Sequence, residues 1–342
     1  MTPQSPGARW KTIAAIAAIG IALAAAWYFL PRPRQTPVAR EAVVIALPMH
    51  PTSLLAHVAL DQGFFAARGL DVTVLEYPSG KRALDEGLLA GKADITWTNE
   101  TPVALAGLER SDFRILSTTL VADNVNKIVA RKDRGISKPE DLRGKRIGTQ
   151  KGSAVHFFLH LFLLEHGLTD KDVQLSFLKA EQLPEALASG SVDAISMREP
   201  YISQALALLG GQHAALFEAP GLYEQVDLMV MRQDSLQRKP GVAPKALQAL
   251  LDAEAFVADH PQEAEAIVAK RLGVDAKNME GALAGFRPNV ALSQSLLVLL
   301  ESEARWAIKA GLTGQTTVPD YLSLTDVADL RRLKPEAITI VR

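Results

Sequence analysis

The chain of 342 residues contains no cysteine. That excludes disulfides, thiolate metal sites and cysteine nucleophiles. It also excludes tethering through a lipidated cysteine. Excess charge of either sign is missing as well. Thirty-seven Lys and Arg stand against 38 Asp and Glu, a net charge of −1. Bulk electrostatics therefore favours no nucleic-acid partner and no acidic one. Several catalytic signatures are absent too. Gly144-Lys145-Arg146 lacks the upstream glycine and the hydroxyl of a P-loop, and no GxSxG elbow occurs. His156 and His160 stand four apart without the glutamate of an HExxH site, so packing or cleft-edge support outweighs metal ligation. No metal or cofactor is expected.

What is present describes a folded, exported protein. The chain is 48% apolar and 22% charged, and its length allows about two domains. Arg9 and Lys11 precede an uncharged run from Ile13 to Leu30, with Trp27 and Tyr28 near its end. As a helix this run spans about 27 Å, enough for a bilayer core. Residues 1–30 read either as a signal anchor or as a signal peptide cleaved near Ala22-Leu23-Ala24. Both readings imply export, with the body reaching the membrane through its N-terminal segment. Residues 31–41 are proline-rich and charged, a linker.

From residue 42 strand and helix patterns alternate. Strands are expected at Ala42–Leu47, Asp71–Glu76, Ala93–Thr98, Phe113–Thr119 and Lys127–Arg131, with helices at Ser53–Arg68, Gly80–Ala90 and Thr101–Leu108 between them. A second set follows, with strands at Arg146–Thr149, Val173–Phe177, Val192–Ser196 and Ala214–Phe217. Asp227–Arg232 reads as a return strand. The rest is mainly helical: Pro244–Asp259, Pro261–Arg271, Ala276–Ala284, Ser293–Ala310 and Leu324–Leu333. This is an α/β architecture of two lobes. Residues 42–120 and 232–342 form lobe one, 135–218 lobe two, and 121–134 and 219–231 the hinge crossings.

Ordered motifs sharpen the reading. Gly144-Lys145-Arg146-Ile147-Gly148-Thr149-Gln150-Lys151-Gly152-Ser153 runs into an apolar helix with His156 on its first turn. Then come Gly190-Ser191-Val192-Asp193-Ala194 and Glu199-Pro200-Tyr201. Upstream lie Ala59-Leu60-Asp61-Gln62-Gly63-Phe64-Phe65, Gly69-Leu70-Asp71-Val72 and Leu88 to Ile95. In order and spacing these resemble the solute-binding proteins of ABC importers. The nearest branch takes up nitrate, sulfonates, taurine and thiamine-pyrimidine precursors. The resemblance covers roughly residues 43 to 232. It implies a two-lobed periplasmic-binding-protein (type II) fold and a small-molecule ligand held between the lobes. It further implies an ABC permease in the inner membrane as partner, a periplasmic location and a monomer.

In open α/β sheets ligands bind beyond the carboxyl ends of strands. That rule nominates loops carrying His50, then Ser79, then Trp97, Thr98, Asn99 and Glu100, then Gly152 and Ser153, and finally Glu199 and Tyr201. The resemblance adds Asp227. Ser79, Thr101 and Ser153 could equally be helix caps. Glu199 could cap a helix and Tyr201 could be core. Where family members carry an aromatic wall this chain has Met197 and Arg198, so Trp97 is expected to supply the wall. Two carboxylates, Glu100 and Glu199, favour a nitrogen-bearing ligand over a bare anion. Lys81, Arg82, Lys151 and Arg198 are expected in solvent, as long basic side chains at loop tips usually are. If they point inward, the preference reverses. The alternatives are an enzyme on the same fold, of the pyrimidine-synthase kind, and a membrane-anchored sensory or adaptor module.

Overall fold

Strand β1 (Glu41–Pro48) is a near-continuous apolar run buried along its second half, as a strand covered on both faces must be. It pairs in parallel with β2 (Leu70–Tyr77) and β3 (Ile95–Asn99). The computed structural model describes residues 40–275, 283 and 285–341. The N-terminal apolar run and nearly all of the expected helix at Ala276–Ala284 lie outside the described residues.

Beyond β3 the lobe-one sheet turns antiparallel. Strand β10 (Glu224–Arg232) lies between β3 and β4 (Phe113–Asp123), and β11 (Phe286–Pro288) closes that edge. The order is β11-β4-β10-β3-β1-β2. The lobe-two sheet holds β5 (Lys127–Arg131), β6 (Arg146–Thr149), β7 (Gln174–Phe177), β8 (Ala194–Met197) and β9 (Ala214–Phe217) in the order β7-β6-β8-β5-β9. Here β5 is the antiparallel member, between β8 and β9. Leaving one sheet therefore places a strand in the middle of the other. The chain outside both sheets is short at each crossing. β4 ends at Asp123 and β5 starts at Lys127; β9 ends at Phe217 and β10 starts at Glu224.

Helices α1 (Leu54–Asp61), α2 (Phe64–Ala67), α3 (Gly80–Arg82, continued by a π-helical stretch Ala83–Leu88) and α4 (Glu100–Glu109) belong to lobe one. The single helix expected from Ser53 to Arg68 is broken at Gly63, whose φ of 70° is left-handed. In lobe two, α5 (Ala154–Glu165), α6 (Leu183–Ala188) and α7 (Tyr201–Leu209) flank the sheet. The return strand begins three residues earlier than its apolar pattern signalled, because Glu224, Gln225 and Val226 already pair with β4.

After α8 (Gln233–Arg238), the long α9 (Val242–Asp259) buries an alanine-leucine face of Ala243, Ala246, Leu247, Ala249, Leu250 and Ala253 against α1. Then α10 (Pro261–Leu272) follows. After it α11 (Gln294–Lys309) packs on α4, and α12 (Ala328–Leu333) on α9. Trp306 of α11 also meets His156 and Phe157 of α5 edge-on, at 5.0 and 5.1 Å. The C-terminal helices thus pack on lobe one and also meet lobe two through the Trp306 ring.

Packing under β1 leaves no spare volume. A Cβ on Gly87 would lie 2.6 Å from the Ala46 Cβ and 3.1 Å from the Tyr77 ring. Gly87→Ala is expected to cost about 1–3 kcal/mol by overpacking. A fall in the urea midpoint checks this; an unchanged midpoint contradicts the packing described.

Candidate functional site

The loops at the strand ends meet in a seam between the lobes, and most of their polar side chains are buried there. Three contacts cross it directly. Gln150 Nε2 donates to Ser79 Oγ at 3.0 Å, Tyr201 Oη donates to the Pro78 carbonyl at 3.1 Å, and Arg82 pairs with Glu181 at 2.8 Å. Gly152 abuts lobe one so closely that a Cβ there would lie 2.7 Å from Leu105 Cδ2. Its left-handed φ of 64° adds a second reason for glycine at this turn.

Deeper in the seam lies Asp227, on β10. Its Oδ1 accepts from Asn99 Nδ2 at 2.8 Å and its Oδ2 from Gln225 Nε2 at 3.0 Å. Burial pushes Asp227 up to about 6, against the pull of these donors and of Arg198. Thr52 Oγ1 lies 2.8 Å from His50 Nδ1. His50 Nε2 is buried without a hydrogen-bond partner. Burial, then the charge of Arg198, hold His50 well below the usual imidazole range, so the ring is neutral.

Arg198 overturns the expectation of a solvated side chain. It is 2% exposed, and its Nε and Nη1 are buried without a hydrogen-bond partner. Among the described residues no carboxylate comes within ion-pairing distance of it. Burial lowers its pKa, and the charge of Asp227 works the other way. The other three basic residues behave as expected of surface side chains. Lys81 pairs with Asp85, Arg82 with Glu86 and Glu181, and the Lys151 ammonium sits 5.7 Å over the Phe177 ring.

Of the two carboxylates expected to favour a nitrogenous ligand, Glu100 is bonded within lobe one and Glu199 caps a helix at the cavity lining. Glu100 accepts from the Tyr223 hydroxyl and, at 2.9 Å, from Val226 N–H, both within lobe one. Burial lifts it to about 8. Nearby Glu303 of α11 accepts from Thr101 Oγ1 at 2.7 Å and is likewise raised by burial, then by Glu100. Glu199 accepts from Ser203 N–H at 3.2 Å, the helix-capping role. Trp97 is fully buried and meets Phe65 edge-on at 6.2 Å, so it belongs to the lobe-one core and forms no cleft wall. Thr98 Oγ1 is buried without a partner. Ser79 caps α3 by accepting from Arg82 N–H, whereas the Ser153 hydroxyl turns back to the Gln150 carbonyl at 2.6 Å.

A cavity of about 400 Å³ adjoins the seam and reaches Thr52 from lobe one and Arg198 from lobe two. Asn124 and Val125 of the first crossing form its floor, and Leu272, Val274 and Phe286 an apolar wall. Of the side chains nominated from sequence, Glu199 lines this cavity; the others lie in the seam or, for Trp97, in the core. Thr52, Arg198, Gln150, Gln225 and Phe286 were not nominated. Thr52 and Arg198 sit inside loops that were. Gln225 and Phe286 carry no local signal.

The cavity is chemically amphiphilic, with Arg198, Lys127, Asp123 and Glu199 supplying charge and Leu272, Val274 and Phe286 hydrocarbon. It can hold a small anion by charge-assisted hydrogen bonds and cover its organic part.

The NMT1/THI5 like family model matches residues 51–264. A Bacillus subtilis (strain 168) protein described as aliphatic sulfonates-binding is 28% identical over 277 residues, 80% of this chain and 81% of the relative. The taurine-binding periplasmic protein of Escherichia coli (strain K12) is 25% identical over 198 residues, 57% of this chain and 60% of its own length. Among solved structures, the alkanesulfonate-binding protein SsuA from Xanthomonas axonopodis pv. citri, bound to MOPS, superposes with a TM-score of 0.74. Its identity is 21%, over 85% of this chain and 99% of that one.

The buried carboxyl pair makes stability depend on pH. Glu100 titrates near 4.5 when unfolded and near 8 when folded, so the folded protein holds the extra proton between those values. Glu100 therefore contributes a fall in stability as pH rises from about 4.5 toward 8; below about 6.5 the buried His57 and His156, held near 4, contribute the opposite slope, so the fall is expected to show above about 6.5, and Glu100→Gln is expected to flatten it. Denaturant midpoints measured across this range check it. An unchanged slope contradicts the assignment.

Proposed function

Because the chain belongs to the NMT1/THI5-like family, we propose that it is the solute-binding protein of an ABC-type importer. Its two lobes close on a small organic anion of the sulfonate kind and present it to a membrane permease. The observation that carries this reading is Arg198, buried beside a cavity that both lobes line, with Nε and Nη1 unpartnered. An unsatisfied buried guanidinium is costly, and a sulfonate supplies a permanent charge and three acceptors. A ligand touching Thr52 in one lobe and Arg198 in the other binds the closed form better than the open one, which drives closure.

The relatives named above are described by what they bind, which supports a receptor over an enzyme. The taurine-binding relative is periplasmic, and a periplasmic location fits the apolar run Ile13–Leu30 as an export segment. If kept, that run would hold a monomeric receptor at the inner membrane, raising its effective concentration at the permease. A second reading concerns the ligand's other end. His50 Nε2 is a buried ring nitrogen without a partner, so an aminosulfonate whose ammonium reaches it would satisfy both Arg198 and His50. An unsubstituted alkanesulfonate would satisfy only Arg198 and rest its chain on Leu272, Val274 and Phe286.

Calorimetry with ethanesulfonate, taurine, nitrate and an aminopyrimidine tests this. Sulfonates are expected to bind, taurine more tightly if His50 receives its ammonium. Two charge-assisted bonds are worth about 1.5–3 kcal/mol each, so Arg198→Met is expected to weaken sulfonate binding about 100-fold or more. Glu199→Gln is expected to leave it within about threefold, since that carboxylate caps a helix. Binding of the aminopyrimidine alone, or full affinity in Arg198→Met, contradicts the proposal.

A further inference from the structure

The two crossings between the lobes are bonded to each other as well as to the sheets they join. Asp123, the last residue of β4, receives the Gly221 N–H of the second crossing on both carboxylate oxygens, at 3.0 and 2.9 Å. Its own neighbour fixes it in that pose, because Asn124 N–H donates to Oδ1 at 2.7 Å. A reciprocal set runs the other way. Glu218, just after β9, accepts from Lys127 Nζ and, at 3.4 Å, from Asn124 Nδ2 of the first crossing. Further in, Asn126 Nδ2 donates to Gln225 Oε1 at 3.2 Å, and both side chains are buried. Each crossing thus supplies an acid to donors of the other.

The backbone bends where these bonds form. Asn124 has a φ of 54°, the one non-glycine residue in the left-handed region among the described residues, and Gly221 has a φ of 81°. Asparagine tolerates that conformation better than most residues do. The brace also stands in the wall of the ligand cavity. Asp123, Asn124 and Lys127 line the cavity that reaches Thr52 and Arg198, whereas Gly221 and Glu218 lie outside its lining. The cavity wall and the grip on the second crossing are therefore the same three residues.

We infer that Asp123, Asn124 and Lys127 form a hinge brace: positioning residues that fix the second crossing on the first and limit how far the lobes separate. Rotation of one lobe against the other must turn both crossings. Bonded together, they turn as one unit, and widely separated arrangements are sampled less. A receptor restrained in this way loses less freedom on binding, and its apparent affinity rises with the fraction already competent to close. The effect on ligand rests on the anion-receptor reading above; the brace itself does not.

The test uses the full chain with Asp123→Ala, Glu218→Ala and the double variant. Amide exchange at Gly221 is expected to become about tenfold faster or more in Asp123→Ala, since that exposed turn loses its acceptor. The absence of cysteine lets spin labels be placed at Lys171→Cys in lobe two and Gln262→Cys in lobe one, both exposed. Double electron–electron resonance on the folded protein is expected to give a wider interlobe distance distribution in each variant, and the widest in the double variant. Calorimetry with ethanesulfonate is expected to show a loss of about three- to tenfold. Glu218 lies outside the cavity lining, so Glu218→Ala reports the brace without removing a cavity residue, and it carries the comparison if Asp123→Ala does not fold. Simple loss of stability would lower the denaturant midpoint and leave the distances of the folded protein unchanged. The inference is overturned if Gly221 exchange or the interlobe distances match those of the unmodified protein, or if Glu218→Ala widens the distances yet binds ethanesulfonate as tightly as before. Should the unmodified protein bind no sulfonate, the receptor reading fails, while exchange and distances still decide whether the crossings are braced.

Discussion

A guanidinium stays charged under ordinary conditions, so a protein that buries one must surround it with compensating groups or leave a place for a ligand that compensates. The seam between these lobes is organised around that constraint at Arg198. Strand β8 delivers the residue at its carboxyl end. Strand β10 carries Asp227 in from the other sheet. The loop after β1 supplies His50 and Thr52. None of these groups closes the guanidinium's open donors, and the cavity begins where they stop.

The exchange of antiparallel strands makes this arrangement possible. Because β5 sits within the lobe-two sheet and β10 within the lobe-one sheet, the crossings between them are short. Asp123 ties the crossings together, its carboxylate accepting from Asn124 N–H in one and Gly221 N–H in the other. Rotation of the lobes must be absorbed in a few residues next to the site. On the opposite side Trp306 lies against α5, and at the rim Gln150, Tyr201 and Arg82 join the lobes directly. Closure therefore rests on lobe-to-lobe bonds as well as on whatever the cavity holds.

Polar groups that look alike in sequence divide here by the partner each finds. Glu100 and Glu199 both stand at strand-to-helix turns. One is bonded to Tyr223 and Val226 inside lobe one and the other caps its own helix at Ser203. Glu100 is removed from the cavity, whereas Glu199 stays at its lining with Asp123, Lys127 and Arg198, so charges of both signs face it. The preference for a nitrogenous solute, drawn from counting acidic residues, carried the condition that Arg198 stay in solvent, and Arg198 is buried.

The alternation of short apolar runs with helical patterns was enough to place most strands and helices, because burial on two sheet faces and glycine or proline at turns leave periodic marks in the chain itself. The loops that meet in the seam were legible for the same reason, since strand ends follow from strands. What the local pattern could not carry was the direction of the side chains. Arg198 points inward because the groups around it come from loops about 150 residues upstream and a strand about 30 residues downstream in sequence. Trp97 points into the core because Phe65 waits there. Gln225 matters because of Asp227 on its own strand and Asn126 across the crossing. The architecture was therefore written in short-range periodicity, and the chemistry of the site in long-range contacts that only the packed lobes create.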